Sequence, residues 1–322
     1  MCGTTLTNYT ERDCMNTFKK KSFITRMKIS LPELEAYHRD QREYQYECNT
    51  AITGIRWRKL IHPILLVGLA VGRAISKDRL HIVQDLHTHS EKPVIFACTH
   101  IGWKDAYMNF AAVKTHAYLF LGDPRDLYRR VEGLLLHLNG VICVDTDQKR
   151  DRFIGKETCV RLLESGGNLL IYPEGAWNVT ENQVVMPLFP GTAEIAIRTG
   201  AEIVPVASEQ YGKHYYVNIG RNIRTNGLNL SQKKQLTDEL RDTLCTLKWE
   251  LWEKFGADSR KNISDDYSKT FLASFEAQMN DVYSLDDIYT TRYHQKVTSP
   301  QEAFAHLEHL IPCRENAFLF RK

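Results

Sequence analysis

Pro93 to Asp105, PVIFACTHIGWKD, is the stretch that decides the reading of this chain. Val94, Ile95, Phe96 and Ala97 form the unbroken apolar run of a buried strand, and Trp103 to Val113 has helical character, with the helix beginning near Asp105. His100 leaves the end of the strand and Asp105 enters the first turn of the helix, so the two side chains can meet without a long loop. The chain has 12 histidines, and only His100 has an aspartate five residues on. Imidazole titrates near neutrality and can take a proton from a hydroxyl and return it within one turnover. An aspartate on the far ring nitrogen fixes the tautomer and stabilises the imidazolium. Such a base needs no serine nucleophile when the acceptor brings its own hydroxyl. The competing reading makes His100 a helix cap and Asp105 an ordinary first-turn acid, which the helix dipole favours.

Outward from this stretch, strands and helices alternate. Ala117–Leu121 reads as a strand ended by Gly122, Asp123 and Pro124, and Asp126–Leu138 as a helix. Val141–Val144 (VICV) is the next strand and runs into a charged loop, DTDQKRDR. Ile154–Glu164 has helical character and stops at Ser165, Gly166 and Gly167. Asn168–Tyr172 (NLLIY) leads straight into Pro173, Glu174 and Gly175. Gly191–Thr199 reads as a helix, and Ile203–Ala207 and Tyr215–Ile219 as two further strands. Apolar strands alternating with helices predict an α/β fold with a mixed, largely parallel sheet flanked by helices. Active groups in such sheets gather where strands end, and His100, Asp145 and Glu174 all sit at or just past a predicted C-terminal strand end.

The flanks differ in character. Residues 1–30 read as a poorly ordered tail, and 31–80 as amphipathic helices. Leu31–Ala51 forms one helix; Leu60–Gly72, LIHPILLVGLAVG, is the most hydrophobic stretch. Its 13 residues fall short of the about 20 needed to cross a bilayer. Arg56, Arg58, Lys59, Arg73, Lys77 and Arg79 flank it, as expected of a segment resting among anionic headgroups, and a buried core helix with basic ends is the equal alternative. The α/β core spans 81–225. Residues 226–322 form a helical C-terminal extension, with helices over Ser231–Phe255, Leu272–Tyr283 and 299–310, and carry no legible motif.

Forty-two basic against 39 acidic residues leave a net charge of +3, so nothing global calls for nucleic acid. Eight cysteines without a CxxC pair, several in apolar runs, read as small hydrophobes in a reducing cytoplasm, and no cleavable signal peptide is visible.

Four pieces then stand in order: THIGWKD, GVICVDT, IYPEGAWN and AEIVPVA. Together they resemble the four blocks of the glycerolipid and lysophospholipid acyltransferases, which move a fatty acyl group from a thioester of coenzyme A or acyl carrier protein to a hydroxyl. The resemblance covers about residues 92 to 220 and implies His100 as general base with Asp105 orienting it. It places Glu174 and Gly175 on the acceptor side and Pro205 on the donor side with Gly191, with no cofactor beyond the acyl-CoA or acyl-ACP co-substrate and no metal. Backbone N–H groups at the start of the helix holding Asp105 are candidates for an oxyanion site. The implied setting is cytoplasmic, peripheral at the membrane face where Leu60–Gly72 docks.

The departures concern phosphate. Thr146 follows Asp145, Trp177 lies two residues after Gly175, and Phe189 and Pro190 precede Gly191, all where the family usually has basic residues that serve a phosphate. Two readings are open. Arg150 and Arg152, with Lys149, reach the phosphate from the charged loop, or the acceptor is a neutral or zwitterionic hydroxyl compound on which Trp177 stacks. Two rival classes are a metal-dependent hydrolase using His87 and His89 with His100 and Asp105, and a non-catalytic lipid- or thioester-binding module on the same fold.

Overall fold

The computed structural model describes residues 18–122, 131–180, 183–256 and 260–277, with a few isolated positions beyond. The expected helix over 299–310, the first part of the helix expected from Asp126 and most of the expected tail lie outside the described residues.

Seven strands form one sheet: β1 (Arg79–Asp85), β2 (Val94–Cys98), β3 (Tyr118–Gly122), β4 (Val141–Val144), β5 (Leu169–Ile171), β6 (Glu202–Tyr211) and β7 (His214–Ile219). Their order is β1-β7-β6-β2-β5-β3-β4. Every neighbouring pair is parallel except β6 with β7, so β1 and β7 run against the other five. The mixed, largely parallel α/β sheet expected from the sequence is therefore the fold.

The described helices are α1 (Phe23–Lys28), α2 (Leu31–Glu47), α3 (Ile55–Ser76), α4 (Asp105–Val113), α5 (Val131–Asn139), α6 (Lys149–Glu164), α7 (Gly191–Thr199), α8 (Lys233–Leu251) and α9 (Tyr267–Glu276). Side chains alternate across a strand, and β2 shows the result directly. Ile95 and Ala97 join one core cluster with α6, α7 and α8, whereas Val94, Phe96 and Cys98 join another with α4 and Leu136 of α5. All five β2 residues are buried, which is why the strand reads as unbroken apolar sequence.

Several sequence expectations change. Residues 23–28, placed in a poorly ordered tail, form α1, closed by Ser22, whose hydroxyl accepts the Thr25 N–H. The supposed charged loop after β4 is helical from Lys149 onward. Strand β1 was hidden because RLHIVQD lies on an edge of the sheet and lacks a continuous apolar run. The apolar segment is not limited to 13 residues: α3 runs for 22, long and apolar enough to cross a membrane by length and composition, with 6% of its most apolar window buried. Trp57, Leu60, Ile64, Val67, Val71 and Ile75 are exposed along one helical stripe, which removes the buried-core alternative. Cys98, Cys143, Cys159 and Cys245 are buried thiols, but Cys48 at the end of α2 is disulfide-bonded, contrary to the all-thiol expectation.

Candidate active site

β2 and β5 are hydrogen-bonded neighbours, so the segments that follow them emerge side by side. His100 comes two residues after β2, and Tyr172, Pro173 and Glu174 follow β5 directly. Nδ1 of His100 lies 2.6 Å from Oδ2 of Asp105, the first residue of α4. The same carboxylate oxygen accepts the backbone N–H of Ile101 at 2.8 Å and of Gly102 at 3.3 Å. A carboxylate that is 2% exposed thus obtains the donors its burial requires. The N–H groups of Ile101 and Gly102, in the turn that opens α4, are thereby committed to Asp105 rather than left for an oxyanion.

Glu174 is fully buried and holds the backbone. Oε1 accepts the N–H of His100 at 3.0 Å and Oε2 that of Met186 at 2.9 Å. Burial raises its carboxyl above the usual range, opposed by the charge of Lys248 and by those two N–H donors. Lys248 belongs to α8, is itself 3% exposed, and has Nζ 3.6 Å from Oε2 of Glu209. Arg241 of the same helix donates to the carbonyls of Val185 and Met186. The C-terminal extension, which read as motif-free packing, therefore braces the loop that closes the site.

Aromatic rings surround the imidazole. The Tyr172 ring stacks on His100 with centroids 4.1 Å apart and planes 20° apart, and Trp177 meets it edge-on at 6.1 Å. Gly175 has φ +76, and a Cβ there would lie 2.4 Å from the ring of Phe189, so glycine lets that half-exposed ring lie over the backbone. The chain thus gathers His100, Asp105, Glu174, Gly175 and Trp177 at one place.

Arg150 and Arg152 are elsewhere. Strand β4, which leads to them, lies three strands from β2, roughly 14 Å across the sheet. Arg150 Nε donates to Glu43 of α2 at 3.0 Å, and the Arg152 guanidinium donates to the carbonyl of Thr146. Pro205 is buried inside β6, level with Ala97, and not at a strand end. Gly191 opens α7 with no atom near its Cα face. His87 pairs with Asp85 next to it, and among the described residues no three His, Cys, Asp or Glu side chains are placed to hold a metal ion.

His100, held by a buried aspartate, thus stands just past the C-terminal end of a parallel strand beside the rings of Tyr172 and Trp177. Residues 79–209 match the family model described as Acyltransferase. These residues form an acyltransferase domain, and the chain is an acyltransferase. A similar solved structure is the 1-acyl-sn-glycerophosphate (LPA) acyltransferase PlsC from Thermotoga maritima, 11% identical, with a TM-score of 0.49, covering 71% of this chain and 95% of that one. No curated protein sequence matches the chain.

Proposed function

We propose that this chain transfers a fatty acyl group from a thioester, of coenzyme A or acyl carrier protein, to the hydroxyl of a lipid acceptor that bears no phosphate monoester. The His100–Asp105 contact carries the proposal: with Nδ1 engaged at 2.6 Å, Nε2 is the nitrogen left for an incoming hydroxyl. Nε2 takes the hydroxyl proton as the acceptor oxygen attacks the thioester carbonyl. The tetrahedral oxyanion then collapses, the C–S bond breaks, and the leaving sulfur receives the proton held on the imidazolium. Asp105 holds the imidazolium and Glu174 fixes the backbone that carries the ring.

The acceptor assignment rests on what surrounds the ring. Trp177 and Phe189 stand where a phosphate site would want guanidinium groups, and Arg150 is engaged by Glu43 and Glu47 on the far part of the sheet. The exposed stripe of α3, flanked by Arg56, Arg58, Lys59 and Arg73, supports a peripheral position on a membrane, where such acceptors reside. Thiol release from palmitoyl-CoA against a panel of acceptors tests this reading. Release that depends on an uncharged or zwitterionic acceptor and vanishes in His100→Ala supports it; equal or better use of lysophosphatidate refutes the acceptor assignment.

A further inference from the structure

We infer that Arg241 of α8 is a positioning residue for His100, acting on its backbone through the loop 183–186. The inference rests on His100 as the base of the proposed reaction. Arg241 lies beyond residues 79–209, so the catalytic unit extends past the acyltransferase domain into the C-terminal extension.

The peptide groups on both sides of His100 are held, and both holds lead to the same loop. The His100 N–H donates to Oε1 of Glu174 at 3.0 Å, and Oε2 of Glu174 accepts the Met186 N–H at 2.9 Å. The His100 carbonyl accepts the Asn178 N–H at 2.8 Å, and Nδ2 of Asn178 donates to the carbonyl of Gln183 at 2.9 Å. Glu174, Asn178, Val185 and Met186 are all buried, so these bonds are largely shielded from water.

Arg241 fastens that loop from α8. Its Nη2 donates to the Val185 carbonyl at 2.9 Å and its Nε to the Met186 carbonyl at 3.3 Å, a forked grip on two successive carbonyls. The Val185 carbonyl and the Met186 N–H belong to one peptide group. A cation on the oxygen polarises that group and strengthens its N–H as a donor, so the guanidinium and the Glu174 carboxylate reinforce each other across it. The segment runs on to Phe189, whose N–H donates to the Pro173 carbonyl at 2.9 Å, next to Glu174 in the chain.

The consequence falls on Nε2 of His100. Nδ1 meets Asp105, which the local N–H groups of Ile101 and Gly102 hold, whereas the backbone of His100 is held from the loop. Slack in the loop therefore shifts the imidazole relative to an aspartate that stays in place. Proton transfer falls steeply with such misplacement, while thioester binding draws no energy from Nε2, so kcat suffers and KM does not.

The test follows the backbone amide of His100 by NMR in the full-length protein carrying isotope-labelled histidine, its signal identified by absence from His100→Gln. In Arg241→Gln this amide proton moves upfield and exchanges with solvent about tenfold faster, while the amides of His116 and His214 keep their wild-type exchange. Arg241→Lys, which keeps the cation but loses the fork, speeds exchange about threefold and decides alone should Arg241→Gln not fold. A His100 amide that coincides with wild type in the folded variant, or that moves only together with His116 and His214, overturns the inference. This readout needs no turnover, so wild type lacking acyl transfer would sink the functional reading alone. In an active enzyme, Arg241→Gln lowers kcat by roughly tenfold with KM for the thioester unchanged, and in a Glu174→Gln background it costs roughly threefold or less. Equal losses in the two backgrounds would overturn the route through Glu174.

Discussion

Two regions of the same sheet, its middle and its β4 edge, hold their charges in opposite ways. Where β2 and β5 finish, single carboxylates are buried and satisfied largely by backbone N–H groups: Asp105 by Ile101 and Gly102, Glu174 by His100 and Met186. Where β4 finishes, carboxylates meet guanidinium groups between α2 and α6: Arg39 with Asp145 at 2.8 Å, Arg42 with Asp151, Arg150 with Glu43. Backbone donors fix a group without neutralising it, which leaves a carboxylate able to support a changing charge beside it. Paired ions neutralise each other and serve to fasten one helix to another. By this comparison the middle of the sheet suits the proposed proton transfer and the β4 edge suits assembly, although that edge holds Arg150 and Arg152, the two arginines that the sequence offered for substrate.

The largest expected effect lies in the middle of the sheet. His100→Ala should reduce acceptor-dependent thiol release by about 10³-fold while the melting temperature stays close to wild type. A loss of stability as large as the loss of rate would break the division. Arg42→Ala should do the reverse. Arg42 meets Asp151 through both Nε and Nη2, at 3.0 and 2.6 Å, and the Asp151 side chain is 1% exposed. Removing the guanidinium leaves a buried charge short of a partner and should cost about 3 kcal/mol in urea unfolding, with kcat little changed in the folded fraction.

Acid should separate the two regions as well. His38 on α2 is buried, and burial lowers its pKa from 6.5 to about 4. The unfolded chain therefore takes up this proton before the folded one does. The stability that accompanies the neutral ring is full above about pH 6.5 and is lost as the pH falls toward 4. Hydrogen exchange should show α2 amides losing protection over that range before those of β2. The smallest effect belongs to Arg150→Ala. Its side chain is 54% exposed and its partner Glu43 42% exposed, so stability should change by under about 1 kcal/mol. KM for any acceptor should also be unchanged; a raised KM for a phosphate-bearing acceptor would return Arg150 to the binding site.

The sequence displays the middle of the sheet far better than its β4 edge. His100 and Asp105 are five residues apart, and a strand end followed by a helix start makes their contact a local matter. Glu174 could be placed because parallel strands bring their C-terminal ends together. Tyr172 could be seen only as the last residue of an apolar run, since Asn109, which donates to its hydroxyl, arrives from α4 and is itself held by Ser208 of β6. The ion pairs of α2 were out of reach for the same reason: Arg42 and Asp151 are 109 residues apart, and a charge run after VICV reads as a solvated loop until a partner helix is known. Helix α3 was cut to its apolar centre because Arg56 to Lys59 and Arg73 looked like boundaries, yet helical backbone continues through charged residues as readily as through leucine.

Glu174 has a further consequence, for the order in which the molecule assembles. His100 and Asp105 are neighbours in the chain, but the backbone N–H of His100 is captured by a carboxylate 74 residues away, whose other oxygen captures Met186, 12 residues later again. A nascent chain that has emerged only through α4 holds both members of the dyad and the local N–H donors of Asp105, but not the carboxylate that holds the backbone of His100. Closing so long a loop is entropically slow, and its completion requires β5 to be laid beside β2. Activity should therefore appear in a refolding experiment with the late, non-local phase, after the local helices have formed.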